Sequence, residues 1–133
     1  MDEIFNRGTC RYFKELTPVP DEELLTLVKA GMQARAVGNQ KSRDFIIVTR
    51  EDLVKAISHN SIIAGPARKA SAAIVIVGKK DGISFPEEWS FDCAAAAQNI
   101  LIEAEHLGLS TLWMQVYPYH NLGLEAVDDL VGR

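Results

Sequence analysis

Apolar and polar positions along the chain follow two periods, and each period predicts an element. Between Asp21 and Met32, Leu24, Leu25, Leu27, Val28 and Met32 recur at three- and four-residue steps, which predicts an amphipathic helix with one face turned inward. Asp21 reads as its N-cap, and Glu22 and Glu23 fall in the first turn, where the amide dipoles favour negative charge. Ahead of it, Asp2 to about Asn6 predicts a short helix. Thr17-Pro18-Val19-Pro20 predicts an extended linker, because proline biases its predecessor away from helical dihedrals. From Ala34 to Arg43 the period stops and the sequence turns polar, as in a loop. Phe45-Ile46-Ile47-Val48-Thr49 then predicts a buried strand and Glu51 to His59 a second helical stretch. After an ambiguous stretch, Pro66 to Ala70, the run Ala72 to Gly78 is apolar throughout and predicts a strand covered on both faces.

The longest helical candidate is Trp89 to Leu107, with Ala94 to Ala97, Ile100, Leu101, Ile102, Ala104 and Leu107 leaving little of its circumference polar. Asp92, Gln98, Asn99, Glu103 and Glu105 interrupt it, which rules out a membrane span and fits a central helix with a subunit boundary on one side. Gly108 stands where a helix ends, Ser110 to Tyr117 predicts a third strand, and Leu122 to Leu130 a last short helix. Helix, glycine stop and strand make an α/β unit, and 133 residues suit a single domain.

A net charge of -4 gives no footprint for nucleic acid or an anionic membrane, so any anion recognition must be local. Cys10 and Cys93 lie far apart without C-x-x-C spacing, and His59, His106 and His120 are scattered. Neither a disulfide framework nor a zinc site is expected. The opening Met1-Asp2-Glu3-Ile4-Phe5 lacks the basic and apolar regions of a signal peptide, and the expected compartment is the cytoplasm.

Candidate chemistry concentrates at Arg7-Gly8-Thr9-Cys10-Arg11. Two guanidinium groups and a hydroxyl at i, i+2 and i+4 can enclose one phosphate, since the arginine fork matches its oxygen geometry. The bland alternative is a basic patch after a short helix. Cys10, between the two cations, is either a thiol of depressed pKa or a small packing residue, and Cys93 reads as a core filler.

Together, Arg7-Gly8-Thr9-Cys10-Arg11, the Gly38-Asn39-Gln40 loop, and Asp92-Cys93-Ala94-Ala95-Ala96-Ala97-Gln98-Asn99 running into Gly108-Leu109-Ser110-Thr111-Leu112-Trp113 resemble the nitroreductase family of flavoproteins over nearly the whole chain. The resemblance implies an α+β, three-layer fold: a mixed central sheet flanked by helices, in a homodimer with FMN at its interface. It implies hydride transfer from NAD(P)H through the flavin to nitroaromatic, quinone or related acceptors. No catalytic side chain is required, because the flavin carries the chemistry. Carried over by position, Arg7, Gly8, Thr9 and Arg11 would hold the FMN phosphate, Asn39 would reach the ring system, and the backbone around Met114 and Gln115 would pass close to it. A small-molecule acceptor is the implied substrate, with no nucleic-acid or membrane partner.

The chain also departs from the family pattern. Arg35-Ala36 stands where the family has Pro-Ser, and Lys41-Ser42-Arg43 where it often has Gln-Pro-Trp. Lys41 either places a cation near the N1 and O2 edge of the flavin, where charge develops on reduction, or is a solvated loop lysine. The family usually continues past the equivalent of Val127-Asp128-Asp129-Leu130 into a further strand and an arm around the partner. The expectation here is one domain over residues 1–133 without them. These departures keep a second expectation open, a non-catalytic or flavin-free homologue.

Overall fold

The structure, a computed structural model, describes residues 2–13, 17–59 and 69–117, the His59 side chain apart. Its elements run α1 (Glu3–Asn6), α2 (Asp21–Met32), β1 (Arg43–Val48), α3 (Glu51–His59), β2 (Ala73–Gly78) and α4 (Trp89–His106), with 3-10 turns at Val37–Asn39 and Pro86–Glu88. β1 and β2 are hydrogen-bonded neighbours in a two-stranded sheet, so helices and a small sheet make an α+β fold. Leu122 to Leu130 and most of Pro66 to Ala70 lie outside the described residues.

Three local expectations change. Helix α2 is capped by Pro20, whose carbonyl accepts from the Glu23 and Leu24 amides at 3.0 and 3.1 Å, and Asp21 is the first helical residue. A proline fits the start of a helix because the amide it lacks would have no partner there. Ser110 to Tyr117 is not a strand: Thr111 makes one isolated bridge and residues 112–116 are irregular. Side chains there bond along their own segment, Trp113 Nε1 donating to Gln115 Oε1 at 2.9 Å and Gln115 Nε2 to the Tyr117 carbonyl at 2.8 Å, in competition with a ladder. Every residue of β2 stays half-buried, where the apolar run predicts cover on both faces.

The chain groups into two compact units, one of Met1–Gly8, Pro20–Ile46 and Ile76–Thr111, the other of Thr9–Val19, Ile47–Val75 and Leu112–Arg133. The first is organised by α2 against α4. The residues the two helices bury are Leu24, 3% exposed, Leu27 and Val28 on α2, and Ile100, Leu101 and the fully buried Ala96 and Ala104 on α4. Each such leucine contributes about 1.5–3 kcal/mol by leaving water. Close approach needs Gly31, where a Cβ would lie 2.9 Å from the Phe45 ring and 3.0 Å from Ile100 Cδ1. Asn99 Nδ2 donates to the Ala30 carbonyl at 3.0 Å and fixes the register of the two helices. In the second unit Val48, Val54 and Ile57 are buried, and the buried Ser58 hydroxyl donates to the Val54 carbonyl at 3.1 Å.

Helix α1 is pinned to the C-terminal end of α4 by Glu3 Oε1 and His106 Nδ1 at 2.9 Å. Its own backbone amide, then His106, hold the Glu3 carboxyl below its usual range, while Glu3, then the charge of Glu103, pull His106 above its ordinary value. A raised histidine contributes stability at low pH and loses it as pH rises through the folded value, and a lowered carboxylate loses its contribution as pH falls. The clasp therefore holds between the two titrations. Amide exchange at Asn6 and Arg7, corrected for intrinsic rate, should quicken as pH rises through the His106 titration. A His106→Ala variant that keeps the same pH dependence would refute the clasp.

Candidate functional site

The polar loop after α2 forms one closed structure around a single carboxylate. Asp92 lies in the first turn of α4, where the helix dipole favours a negative charge, and is 2% exposed. Its Oδ1 accepts from the Val37 amide at 3.1 Å. Its Oδ2 accepts from Gln40 Nε2 at 2.9 Å and from the Ser42 hydroxyl at 2.6 Å. Burial alone would raise the Asp92 carboxyl. The Gln40, Ser42 and Val37 donors and the Arg43 charge outweigh burial and hold it below the usual carboxylate range.

Gln40 is fixed from its other side as well, donating to the Phe85 carbonyl at 3.0 Å and accepting the Phe85 amide at 2.9 Å. Between Val37 and Gln40 the backbone passes through two consecutive left-handed residues, Gly38 at φ 58° and Asn39 at φ 55°. Glycine enters that region freely and asparagine with little cost, whereas most side chains are strained there. A Cβ at Gly38 would also lie 2.8 Å from the Phe85 ring. Arg43 closes the loop at its base. Its guanidinium donates to the Ala34 carbonyl at 2.6 Å, to the Arg35 carbonyl at 3.2 Å and to the Asp92 carbonyl. The Lys79 amide donates to the Ser42 carbonyl at 2.6 Å.

Side-chain direction alternates along this loop. Gln40, Ser42 and Arg43 turn inward to partners, while Asn39 and Lys41 are exposed and, among the described residues, their side chains make no hydrogen bond or ion pair. Arg7 is half-buried directly after α1, with its amide on the Glu3 carbonyl at 2.9 Å, and Gly8 beside it is exposed. These two belong to the first unit, Thr9, Arg11 and Gln115 to the second, where all three are exposed. Among the described residues the side chains of Arg7, Thr9 and Arg11 also carry no internal hydrogen bond or ion pair. The Gln115 amide is engaged by Trp113 and Tyr117.

The two cysteines differ in their surroundings. Cys10 donates its thiol hydrogen to the Tyr12 carbonyl at 3.0 Å. Burial pushes the Cys93 thiol up to about 11, too high for a thiolate nucleophile at neutral pH. Among the described residues no group of histidines, cysteines and carboxylates is placed to hold a metal, and no helix is long and apolar enough to cross a membrane. Sequence reasoning missed Asp92, Ser42 and Arg43 as parts of the site. The available signals were a carboxylate in the first turn of an alanine-rich helix and a cation opening an apolar strand.

No protein-family model matches the chain. Over 130 residues it is 32% identical to an Archaeoglobus fulgidus protein provisionally named NADH dehydrogenase/NAD(P)H nitroreductase, covering 97% of this chain and 74% of that one. Among solved structures it superposes with a TM-score of 0.90 and 31% identity on a provisionally named NADH oxidase from Clostridium acetobutylicum, covering 99% of this chain and 78% of that one. A provisionally named nitroreductase from Desulfovibrio desulfuricans, solved in complex with FMN, matches with a TM-score of 0.80 and 20% identity over 98% of this chain and 73% of that one. The fold is thus that of the nitroreductases, a class of oxidoreductases. The chain belongs to the nitroreductase family.

Proposed function

We propose that this chain binds FMN and passes hydride equivalents from NAD(P)H through it to nitroaromatic, quinone or related small-molecule acceptors, as a homodimer in the cytoplasm. The observation that carries the reading is the alternation of the 37–43 loop, which spends Gln40, Ser42 and Arg43 on its own support and leaves Asn39 and Lys41 exposed, their side-chain donors unengaged among the described residues.

The donor set fits the group. Arg7 and Arg11 supply guanidinium N–H pairs and Thr9 a hydroxyl, none with an internal partner among the described residues, which is the chemistry a phosphate dianion needs. Gly8 offers a backbone with nothing among the described residues within 4 Å of where a Cβ would stand. Asn39 offers an amide that both donates and accepts, suited to the alternating edge of an isoalloxazine ring. Lys41 supplies a cation to the ring's electron-rich edge, and the segment around Gln115 borders it. When bound, FMN supplies two-electron redox chemistry, and the protein's part is to hold, orient and electrostatically tune it. The FMN complex of the Desulfovibrio desulfuricans neighbour and the NAD(P)H nitroreductase name of the Archaeoglobus fulgidus relative support this cofactor and donor.

The test is the visible spectrum of the protein after FMN addition and gel filtration. Retained flavin absorbance that bleaches anaerobically with NADH or NADPH and returns on adding a quinone is the expected result. Protein that elutes without flavin would favour the flavin-free homologue.

A further inference from the structure

We propose that Asp92 is the positioning residue of the flavin loop: by gathering Val37, Gln40 and Ser42 on one buried carboxylate, it fixes the left-handed turn at Gly38 and Asn39 and so sets how Asn39 and Lys41 face the ring system. The inference rests on the flavin reading above and adds a residue that makes no cofactor contact of its own.

Three observations converge on it. The first is geometric. The donors on Asp92 come from both sides of the turn, Val37 before it and Gln40 and Ser42 after it, at 3.1, 2.9 and 2.6 Å. Gly38 and Asn39 enter the left-handed region at little cost, but they enter other regions as readily, so this one turn persists only where its flanks are held. Asp92 holds both flanks at once.

The second is that the carboxylate cannot be replaced by its amide without conflict. Gln40 presents Nε2 to Asp92 because its Oε1 is committed to the Phe85 amide at 2.9 Å, so it cannot flip without orphaning that donor. An asparagine would offer one acceptor oxygen to a site built for three donors, and its own NH2 would meet another donor. Buried polar groups left unpaired in this way cost more than the hydrogen bond itself.

The third is the pattern of what remains outside. Phe85, tied to Gln40, covers Gly38, and Arg43 closes the base of the loop on the Ala34, Arg35 and Asp92 carbonyls. The inward side chains from Gln40 to Arg43 reach Asp92 or its backbone, and the two outward ones, Asn39 and Lys41, are those the flavin reading assigns to the ring. A register change that released Asp92 would turn these two away from their present direction.

The experiment uses the full chain with Asp92→Asn, Gln40→Ala and Asn39→Ala, singly and in the combination Asp92→Asn/Asn39→Ala. FMN and riboflavin affinities are read by flavin fluorescence, and amide exchange is followed at Val37 and along α4. Asp92→Asn is expected to weaken FMN and riboflavin alike by roughly 10- to 100-fold, because the ring end rather than the phosphate end is displaced. In the Asn39→Ala background the same change should cost no more than about threefold, the non-additivity of residues acting as one unit. Exchange at Val37 should quicken while Ile100 and Leu101 stay protected. Gln40→Ala, at a half-exposed position, should reproduce a smaller loss.

Wild-type FMN binding with an unchanged Asp92→Asn variant would overturn the inference alone, as would full additivity with Asn39→Ala. Should Asp92→Asn also deprotect α4, Gln40→Ala decides: a loss of flavin affinity supports the inference and no loss overturns it. Wild type that binds no FMN overturns the flavin reading itself, and this inference with it.

Discussion

Replacing Arg7 and Arg11 together by alanine is expected to weaken FMN binding by roughly 100- to 1000-fold while leaving riboflavin within about threefold of wild type. A charge-assisted hydrogen bond contributes about 1.5–3 kcal/mol, and the double variant removes at least two of them. Both side chains are without internal hydrogen bonds or ion pairs among the described residues, and Arg11 is exposed, so their removal leaves no buried partner stranded and the fold intact. Riboflavin is the control, because it carries the ring without the phosphate. Isothermal titration with both ligands separates the outcomes: equal losses for the two would place these arginines away from the phosphate, and no loss would remove them from the site. Together with the Asp92 series, the measurement distinguishes the two ends of the cofactor, since the arginines act on FMN selectively and the loop acts on both ligands.

The largest effect on stability is expected at Leu24. Its side chain is 3% exposed in the α2–α4 packing, against a helix whose Ala96 and Ala104 are fully buried and whose backbone approaches across Gly31. Truncation to alanine removes the transfer energy of the lost methyl groups and leaves a void. The register is fixed by Asn99 on the Ala30 carbonyl, so the helices cannot slide inward to fill it. Leu24→Ala should therefore cost about 3–4 kcal/mol in denaturant unfolding. The neighbouring Leu25, 52% exposed, serves as the internal comparison and should cost under about 1 kcal/mol. Similar losses at both positions would contradict the face assigned to α2.

Much of the first unit is legible in the sequence because its signals are periodic. The three- and four-residue spacing of Leu24, Leu27 and Val28 marks the buried face of α2, the alanine-rich run marks α4, and the apolar runs mark β1 and β2. Each of these depends only on which side chains must leave water, which is a property of composition and spacing. Gly108, with φ 76°, sits past the end of α4 for the same local reason. Where a signal is ambiguous locally, tertiary context decides. Ser110 to Tyr117 has the composition of a strand, yet Trp113, Gln115 and Tyr117 bond to one another along the segment. The start of α2 shows the same lesson on a smaller scale: Asp21 reads as the cap, yet the backbone turns one residue earlier, at Pro20.

The sequence by itself determined the family, the order of the elements from α1 to α4 and the buried face of α2, and it nominated Arg7, Thr9 and Arg11 as a candidate anion grip, because motifs and hydrophobic periods are carried by residues near one another in the chain. Only the tertiary structure decided what supports the loop around Asn39. Asp92 stands 55 residues after Val37 and 50 after Ser42, and no spacing rule connects a carboxylate in one helix with donors in a distant loop. Burial of that charge is tolerable only when several donors converge on it, and convergence is a property of three-dimensional packing. The same packing decided which loop side chains face inward, Gln40, Ser42 and Arg43, and which stay outward, Asn39 and Lys41.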